Sequence, residues 1–415
     1  MNIFFKNPKQ FIWRAAKKIE HKINQAITSL QQKTNHVGNP SLVSLPVIAQ
    51  CNYRCNFCEI NGVDQHLKVI GAKYQRNQMS TAQVMQFRKA IRHARDIDFG
   101  GLTALGEPFL AANFKDIIRA IRKINRRAVI QITTNARLMN AEMADFLLEN
   151  SPIYITFSLH AATEDVYSKV MSNGFNIVIQ NIRYFSLKAA RRHNAGTAIN
   201  FGLGKFNYMD AEKIVRLAKE LNIRTLHMYP YYKSPNKYVE DISLYNNPDL
   251  ANQALDAAYK TAREIGQKMQ PAIPSYLHPV QELKFSGSSY TGGCVLPYEN
   301  LNMKSTPTLE NQISFGVCNR IVLFTATLEK EITPGDYEWM WKHPAMNALR
   351  SSKEIPEICK LCKNPATPAM RSLRHEEYKR LRDDAVKKHL SKWQDDRVSP
   401  SGSIELLSEN IFSLE

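Results

Sequence analysis

The sequence predicts an α/β protein: a parallel sheet of six βα repeats, open or curled into part of a barrel, followed by a smaller cysteine-bearing unit. Three observations predict it. Strand-like and helix-like stretches alternate from Leu45 to about Tyr232, the pattern of a parallel sheet with right-handed crossovers. Cys51, Cys55 and Cys58 directly follow the first strand-like run, at the strand end where α/β sheets build their sites. Four more cysteines, Cys294, Cys318, Cys359 and Cys362, come after a Pro-, Gly- and Ser-rich break. The 415 residues exceed one ordinary domain, and an apolar share of 44% supplies substantial cores.

Residues 1–44 carry seven Lys/Arg against one Glu. Phe11, Ile12, Ala15, Ala16, Ile19, Ile23, Ile27 and Leu30 recur at helical spacing, with Lys17, Lys18 and Lys22 on other faces. Such a basic amphipathic helix packs on its own domain or lies on an anionic bilayer through residues 1–30. Asn35 to Ser44, with Gly38 and Pro40, reads as a linker. The expected strands are Pro46–Gln50, Ile97–Leu102, Val129–Thr133, Tyr154–Ser158, Ala198–Leu203 and Thr225–Tyr229. Between and after them the helical periodicity covers Thr81–Ala94, Phe114–Asn125, Ala141–Glu149, Val178–Arg191, Asp210–Leu221 and Asp249–Met269. Ser80 or Thr81 and Asn140 are the expected N-caps.

The spacing C-x3-C-x2-C at Cys51, Cys55 and Cys58 brings three thiols onto one loop. A four-iron cubane normally takes four thiolates, so three leave one iron free. Zinc is the competing occupant, but a tetrahedral structural site wants a fourth Cys or His. His66, eight residues beyond Cys58, is the nearby candidate.

This triplet, with Phe57 directly before its third cysteine, resembles the signature of the radical S-adenosylmethionine (SAM) enzymes. The resemblance implies a partial (β/α)6 barrel and a [4Fe–4S] cluster whose open iron is chelated by S-adenosylmethionine. It further implies a 5′-deoxyadenosyl radical that takes hydrogen from the substrate. Leu105-Gly106-Glu107-Pro108 after the second strand resembles the family's second-strand element, which puts Glu107 on the methionyl amino group. Thr133-Thr134-Asn135 and Phe157-Ser158-Leu159-His160 resemble the third- and fourth-strand ends, where polar side chains approach the cofactor. The implied cofactor-binding set is therefore Phe57, Gly106, Glu107, Asn135 and Ser158. Taken as residues alone, Asn135 and Ser158 equally suit helix caps. His160 reads as structural. Asn200-Phe-Gly-Leu-Gly204 lies where the glycine-rich fifth-strand element belongs, and Met228 to Tyr232 forms an aromatic cluster at the sixth-strand rim.

Cys294, Cys318, Cys359 and Cys362 can saturate a second cubane or a zinc ribbon, and the first two bracket strand-like segments around Leu301 and Phe315. The segments Cys294-Val-Leu-Pro-Tyr298, Phe315-Gly-Val-Cys318 and Ile358-Cys359-Lys-Leu-Cys362, with Trp339 and Trp341, resemble the Twitch extension, a shortened relative of the SPASM domain. That resemblance implies one auxiliary [4Fe–4S] cluster. Full thiolate ligation suits electron transfer, as in Twitch enzymes that oxidise a secondary alcohol. It suits less the three-cysteine auxiliary site of the molybdopterin-pathway GTP cyclases. The implied organisation is an N-terminal extension (1–44), a barrel (45–270), a linker (271–293), a Twitch/SPASM-like domain (294–365) and a charged tail (366–415).

Seven cysteines without a secretory pattern point to a reducing, cytoplasmic setting. No run of 18 apolar residues occurs, which argues against a spanning helix. The net charge of +17 favours anionic partners, while no nucleic-acid module is recognisable. The expected function is oxidation of a small anionic sugar or alcohol, with the auxiliary cluster accepting the electron and flavodoxin or ferredoxin as reductant. The alternatives are modification of a peptide by the same radical chemistry and a non-catalytic, zinc-stabilised binding protein.

Overall fold

A computed structural model describes residues 38–58, 78–100, 106–230, 242–244, 247–270, 300–303, 312–316 and 324–327, with single positions 19, 23, 341 and 347. The strands are β1 (Leu42–Ser44), β2 (Asp96–Phe99), β3 (Val129–Thr134), β4 (Ile153–Ser158), β5 (Ala195–Leu203), β6 (Thr225–Pro230) and β7 (Met269–Gln270), then β8 (Asn300–Met303), β9 (Gln312–Gly316) and β10 (Phe324–Thr327). The helices are α1 (Thr81–Met85), α2 (Arg88–His93), α3 (Phe114–Ile124), α4 (Ala141–Glu149), α5 (Glu164–Val170), α6 (Phe175–Ala190), α7 (Ala211–Glu220) and α8 (Pro248–Ile265).

One sheet holds every strand among the described residues, in the order β10-β9-β8-β1-β2-β3-β4-β5-β6-β7. Strands β1 to β7 pair in parallel, each with its successor. Sequential neighbours joined by right-handed crossovers put all their helices on one face, which is the barrel arrangement rather than the doubly wound one. Alternation within the strands agrees. In β3 and β4, Ile130, Ile132, Ile153, Ile155 and Phe157 are buried in a core shared with Ile117, Ile121, Leu147, Ile182 and Phe185 of the helices. Each such side chain contributes roughly 1.5–3 kcal/mol. The intervening Gln131, Thr133, Tyr154, Thr156 and Ser158 are only partly buried and stand on the helix-free face.

The first strand differs from expectation. It lies at Leu42–Ser44, inside the stretch read as a linker, and not at Pro46–Gln50. Leu45 N still donates to Asp98 O at 2.8 Å, but Pro46 has no N–H with which to continue the ladder. The chain runs on as an extended loop, touching the rest through Met79 N to Val47 O and an Ile48–Gln78 bridge. The expected helix 81–94 is also divided. It breaks at Gln86 and Phe87, with the Phe87 ring fully buried at the break. Ser80 closes a reciprocal capping box with Gln83, and Asn140 caps α4 through Met143 N.

The expected strand-like segments around Leu301 and Phe315 exist as β8 and β9, but they do not form a sheet of their own. β8 pairs in parallel with β1, and β9 and β10 follow antiparallel. Cys294, Cys318, Cys359 and Cys362 lie outside the described residues, as do most of the N-terminal extension and the charged tail. Ile19 and Ile23, one helical turn apart, are exposed. No helix among the described residues is long and apolar enough to cross a membrane.

At the N-terminal end of the sheet, opposite the cysteine loop, Arg122 donates to four carbonyls: Asn150 and Pro152 at 2.7 Å, Ala128 at 2.8 Å and Asn125 at 3.2 Å. Burial alone pulls its guanidinium down to about 10. Replacing it leaves those carbonyls without donors. Arg122→Met is expected to cost about 3 kcal/mol of stability in urea unfolding, with the affinity for S-adenosylmethionine unchanged. An unaltered midpoint would refute the structural role.

Candidate functional site

The loop after β1 carries Cys51, Cys55 and Cys58, and two neighbouring elements hold it. Gln50 O accepts from Glu107 N at 2.8 Å, tying it to the loop after β2. Asn56 donates from its backbone to Val170 O and from its side chain to Lys169 O, both at 3.0 Å, at the end of α5. Tyr167 of α5 donates its hydroxyl to Tyr53 at 2.9 Å. Within the loop, Cys58 N closes a turn on Cys55 O at 3.1 Å, and Tyr53 N points at Cys51 Sγ at 3.4 Å.

None of the three thiols is in a disulfide, and all are partly buried. Burial pushes Cys51 up to about 12, against the pull of the Tyr53 N–H, and Glu107 and Cys58 push it further the same way. Cys55 also rises, from burial first and then from Cys58 and Cys51. Cys51 and Cys55 therefore sense each other and Cys58, and resist ionisation unless a cation joins them. Among the described residues, no three Cys, His, Asp or Glu side chains converge tightly enough to hold a single metal ion. Zinc draws thiolates to about 2.3 Å and demands that convergence, whereas a cubane takes its thiolates on separate irons. Three cysteines on one loop suit such a cubane; His66, the fourth donor expected for a zinc site, lies outside the described residues.

Gly106 abuts this loop. A Cβ at Gly106 would stand 2.3 Å from Gln50 O, 2.6 Å from Ile48 O and 2.9 Å from Ala49 C. The backbone that approaches this glycine is the one leading into Cys51.

Glu107 is 2% exposed. Its Oε1 accepts from Thr134 Oγ1 at 2.7 Å and from Phe109 N at 3.4 Å, and its Oε2 accepts from Asn135 N at 2.8 Å. Burial pushes the carboxyl up to about 7, although all three donors oppose it. No Lys or Arg forms an ion pair with it among the described residues. An enclosed carboxylate costs several kcal/mol unless a cation meets it, and three donors do not offset that burial.

Asn135 joins the carboxylate to the cysteines. Its backbone binds Glu107, while its side-chain Nδ2 donates to Asn52 Oδ1 at 2.8 Å and lies 3.8 Å from Cys51 Sγ. Its Oδ1 accepts from Arg137 N, so it also makes the local turn expected of a cap. Ser158 ends β4 on the helix-free face, its hydroxyl without a partner among the described residues. Phe57 packs edge-on against His160, with ring centroids 4.6 Å apart. His160 is structural, as expected: its Nδ1 accepts from Gly202 N at 2.8 Å and its carbonyl accepts from Asn207. Burial drives its imidazole down to about 3. Cys51, Cys55, Cys58, Gly106, Glu107 and Asn135 thus meet in one place. Phe57 and Ser158 border it. Thr134 was passed over at the sequence level, though its position in the Thr-Thr-Asn run, one step from the strand end, was the available signal.

Residues 45–218 match the radical SAM superfamily. Among curated proteins, the chain is 30% identical over 179 residues to a probable GTP 3′,8-cyclase of Metallosphaera sedula, covering 43% of this chain and 51% of that protein. It is 24% identical over 221 residues to the probable GTP 3′,8-cyclase of Sulfurisphaera tokodaii, covering 53% and 63%. The chain thus spans about half to three-fifths of the length of these relatives. Among solved structures, SuiB of Streptococcus suis bound to S-adenosylmethionine superposes with a TM-score of 0.52 at 18% identity, over 85% of this chain and 75% of that one. Native anSMEcpe with bound AdoMet superposes with a TM-score of 0.52 at 15% identity, over 85% and 99%. These two likenesses concern the fold.

Proposed function

We propose, on the premise that residues 45–218 form a radical SAM domain, that this protein oxidises a small, hydroxyl-bearing anionic metabolite by radical chemistry. Cys51, Cys55 and Cys58 would hold the [4Fe–4S] cluster that binds S-adenosylmethionine. The observation that carries the assignment is Glu107, an enclosed carboxylate with no ion-pair partner among the described residues, beside Cys51. The methionyl ammonium supplies the charge that this carboxylate lacks. When bound, cluster and cofactor together supply a 5′-deoxyadenosyl radical that takes a hydrogen atom from an unactivated C–H bond.

The chain's own residues orient and enclose. Thr134 and the Asn135 backbone hold the Glu107 carboxylate in one rotamer. Asn135 Nδ2 steadies the loop at Asn52 and Cys51. The Ser158 hydroxyl would receive a polar group of the cofactor, and the Phe57–His160 ring contact would flank it. In this reading Cys294, Cys318, Cys359 and Cys362 would hold a second cluster, whose chemistry there would be that of an electron acceptor.

Glu107→Gln removes the charge and keeps the shape. The dissociation constant for S-adenosylmethionine is expected to rise about a hundredfold, as befits a lost buried charge-assisted hydrogen bond, with the iron content of the reconstituted protein unchanged. Equilibrium binding together with iron counting decides it. Wild-type affinity in the Gln variant would remove Glu107 as the anchor.

A further inference from the structure

His227 is a buried group that this mechanism leaves unused. On β6 it alternates with Leu226 and Met228, both fully buried on the helix side, so its ring belongs to the helix-free face. Register sets it opposite Asn200 of β5, which is itself opposite Ser158 of β4. The three side chains form one cross-strand row. That row is level with the end of β3, since Thr134 pairs with Phe157, one step before Ser158.

Beneath the row the face is filled. Tyr154 lies over Gly196, where its ring approaches to 2.5 Å of the place a Cβ would take, and its hydroxyl bonds to Thr225. His227 Nδ1 lies 2.9 Å from Asn200 Oδ1. An amide oxygen only accepts, so Nδ1 carries the proton and Nε2 the lone pair. That Nε2 is closed off from solvent and has no hydrogen-bond partner among the described residues. Burial, with the ammonium of Lys268 second, lowers the imidazole's proton affinity and keeps it a neutral acceptor. Because Met269 pairs with Leu226 and Gln270 with His227, Lys268 falls on the same helix-free face as His227, level with Thr225 at the sheet's edge, where it is exposed.

A fixed acceptor beside an exposed cation, in a polar row level with the cofactor-binding rim, suits an anion that carries a hydroxyl. The geometry points to His227 Nε2 as the acceptor for a substrate hydroxyl, with Asn200 fixing its tautomer and Lys268 meeting the anionic end of a small phosphorylated alcohol. This assignment rests on the radical reading above and deepens it to a substrate class and the residues that select it.

The test is calorimetric titration of full-length, anaerobically reconstituted protein with glucose 6-phosphate and with GTP, at saturating S-adenosylmethionine. At least one probe is expected to bind the wild type. It should bind H227F at least about tenfold more weakly and recover part of that loss in H227Q, whose amide oxygen still accepts. The dissociation constant for S-adenosylmethionine should be the same in all three proteins, and thermal unfolding checks that the variants fold. Equal binding of the probe by H227F overturns the proposal, as does failure of both probes to bind the wild type. A parallel loss of S-adenosylmethionine affinity also overturns it and assigns the acceptor to the cofactor. Failure of the wild type to bind S-adenosylmethionine at all would instead sink the reading beneath it.

Discussion

A Cys58→Ala protein is expected to form no 5′-deoxyadenosine above background, a fall of about a thousandfold or more against the wild type. The reason is local. Cys51, Cys55 and Cys58 are the cysteines of one loop, and Cys58 N closes the turn that carries Cys55. With two thiolates the loop cannot hold a cubane that leaves a single iron open. The iron content and the absorption near 400 nm should fall with activity. The barrel should remain folded, because Cys58 is not among the buried core residues. A variant that keeps both its iron and its cleavage of S-adenosylmethionine would show that the loop is not the cluster site.

Gly106→Ala is the second large effect, and here the cause is steric. The new methyl would meet Gln50 O at 2.3 Å and Ile48 O at 2.6 Å, contacts that only backbone movement can relieve. Gln50 O is also the acceptor for Glu107 N. Relief therefore displaces either the entry to the cysteine loop or the carboxylate beside it. The expected cost is about 3 kcal/mol of stability, of the order seen for overpacking, with cleavage of S-adenosylmethionine reduced about a hundredfold. Gly266→Ala is the control. Gly266 ends α8 with φ +68°, and a Cβ there meets only Lys219 Nζ at 3.8 Å. It should cost about 1 kcal/mol and leave cleavage intact. Unfolding curves and 5′-deoxyadenosine assays on both proteins separate strain at the site from strain in general. Equal activities would dismiss the steric argument.

How far such effects could be foreseen depends on the range over which each cause acts. The C-x3-C-x2-C spacing, the Ser80 and Asn140 caps and the alternation of Ile130, Ile132, Ile153 and Ile155 are local. Each is set by neighbours a few positions away, and each was legible before any coordinates. The first strand was misplaced because Pro46–Gln50 and Leu42–Ser44 are both short and apolar. Periodicity cannot rank two such runs. The missing N–H of Pro46 and the position of Asp98 on β2 rank them. Leu301 and Phe315 announced strands, but nothing within their segments indicated that β8 would add to β1.

The candidate site divides the same way. Cys51, Cys55 and Cys58 were picked out by their spacing, and Glu107 and Asn135 by their resemblance to the strand-end elements of a known family. Their electrostatics were not. That Glu107 is enclosed, and that Thr134 and Asn135 grip it, depends on loops from β2 and β3 meeting. His227 was one residue of the expected strand Thr225–Tyr229, with nothing local to single it out. It became an unpartnered acceptor only when register set it against Asn200. By itself the sequence determined which side chains have the chemistry of ligands and which faces are apolar, because both are written in short-range order. Only the tertiary structure decided which backbone crowds Gly106, which carboxylate loses its water and which imidazole nitrogen lacks a partner. Burial and contact belong to pairs far apart along the chain, and folding alone brings those pairs together.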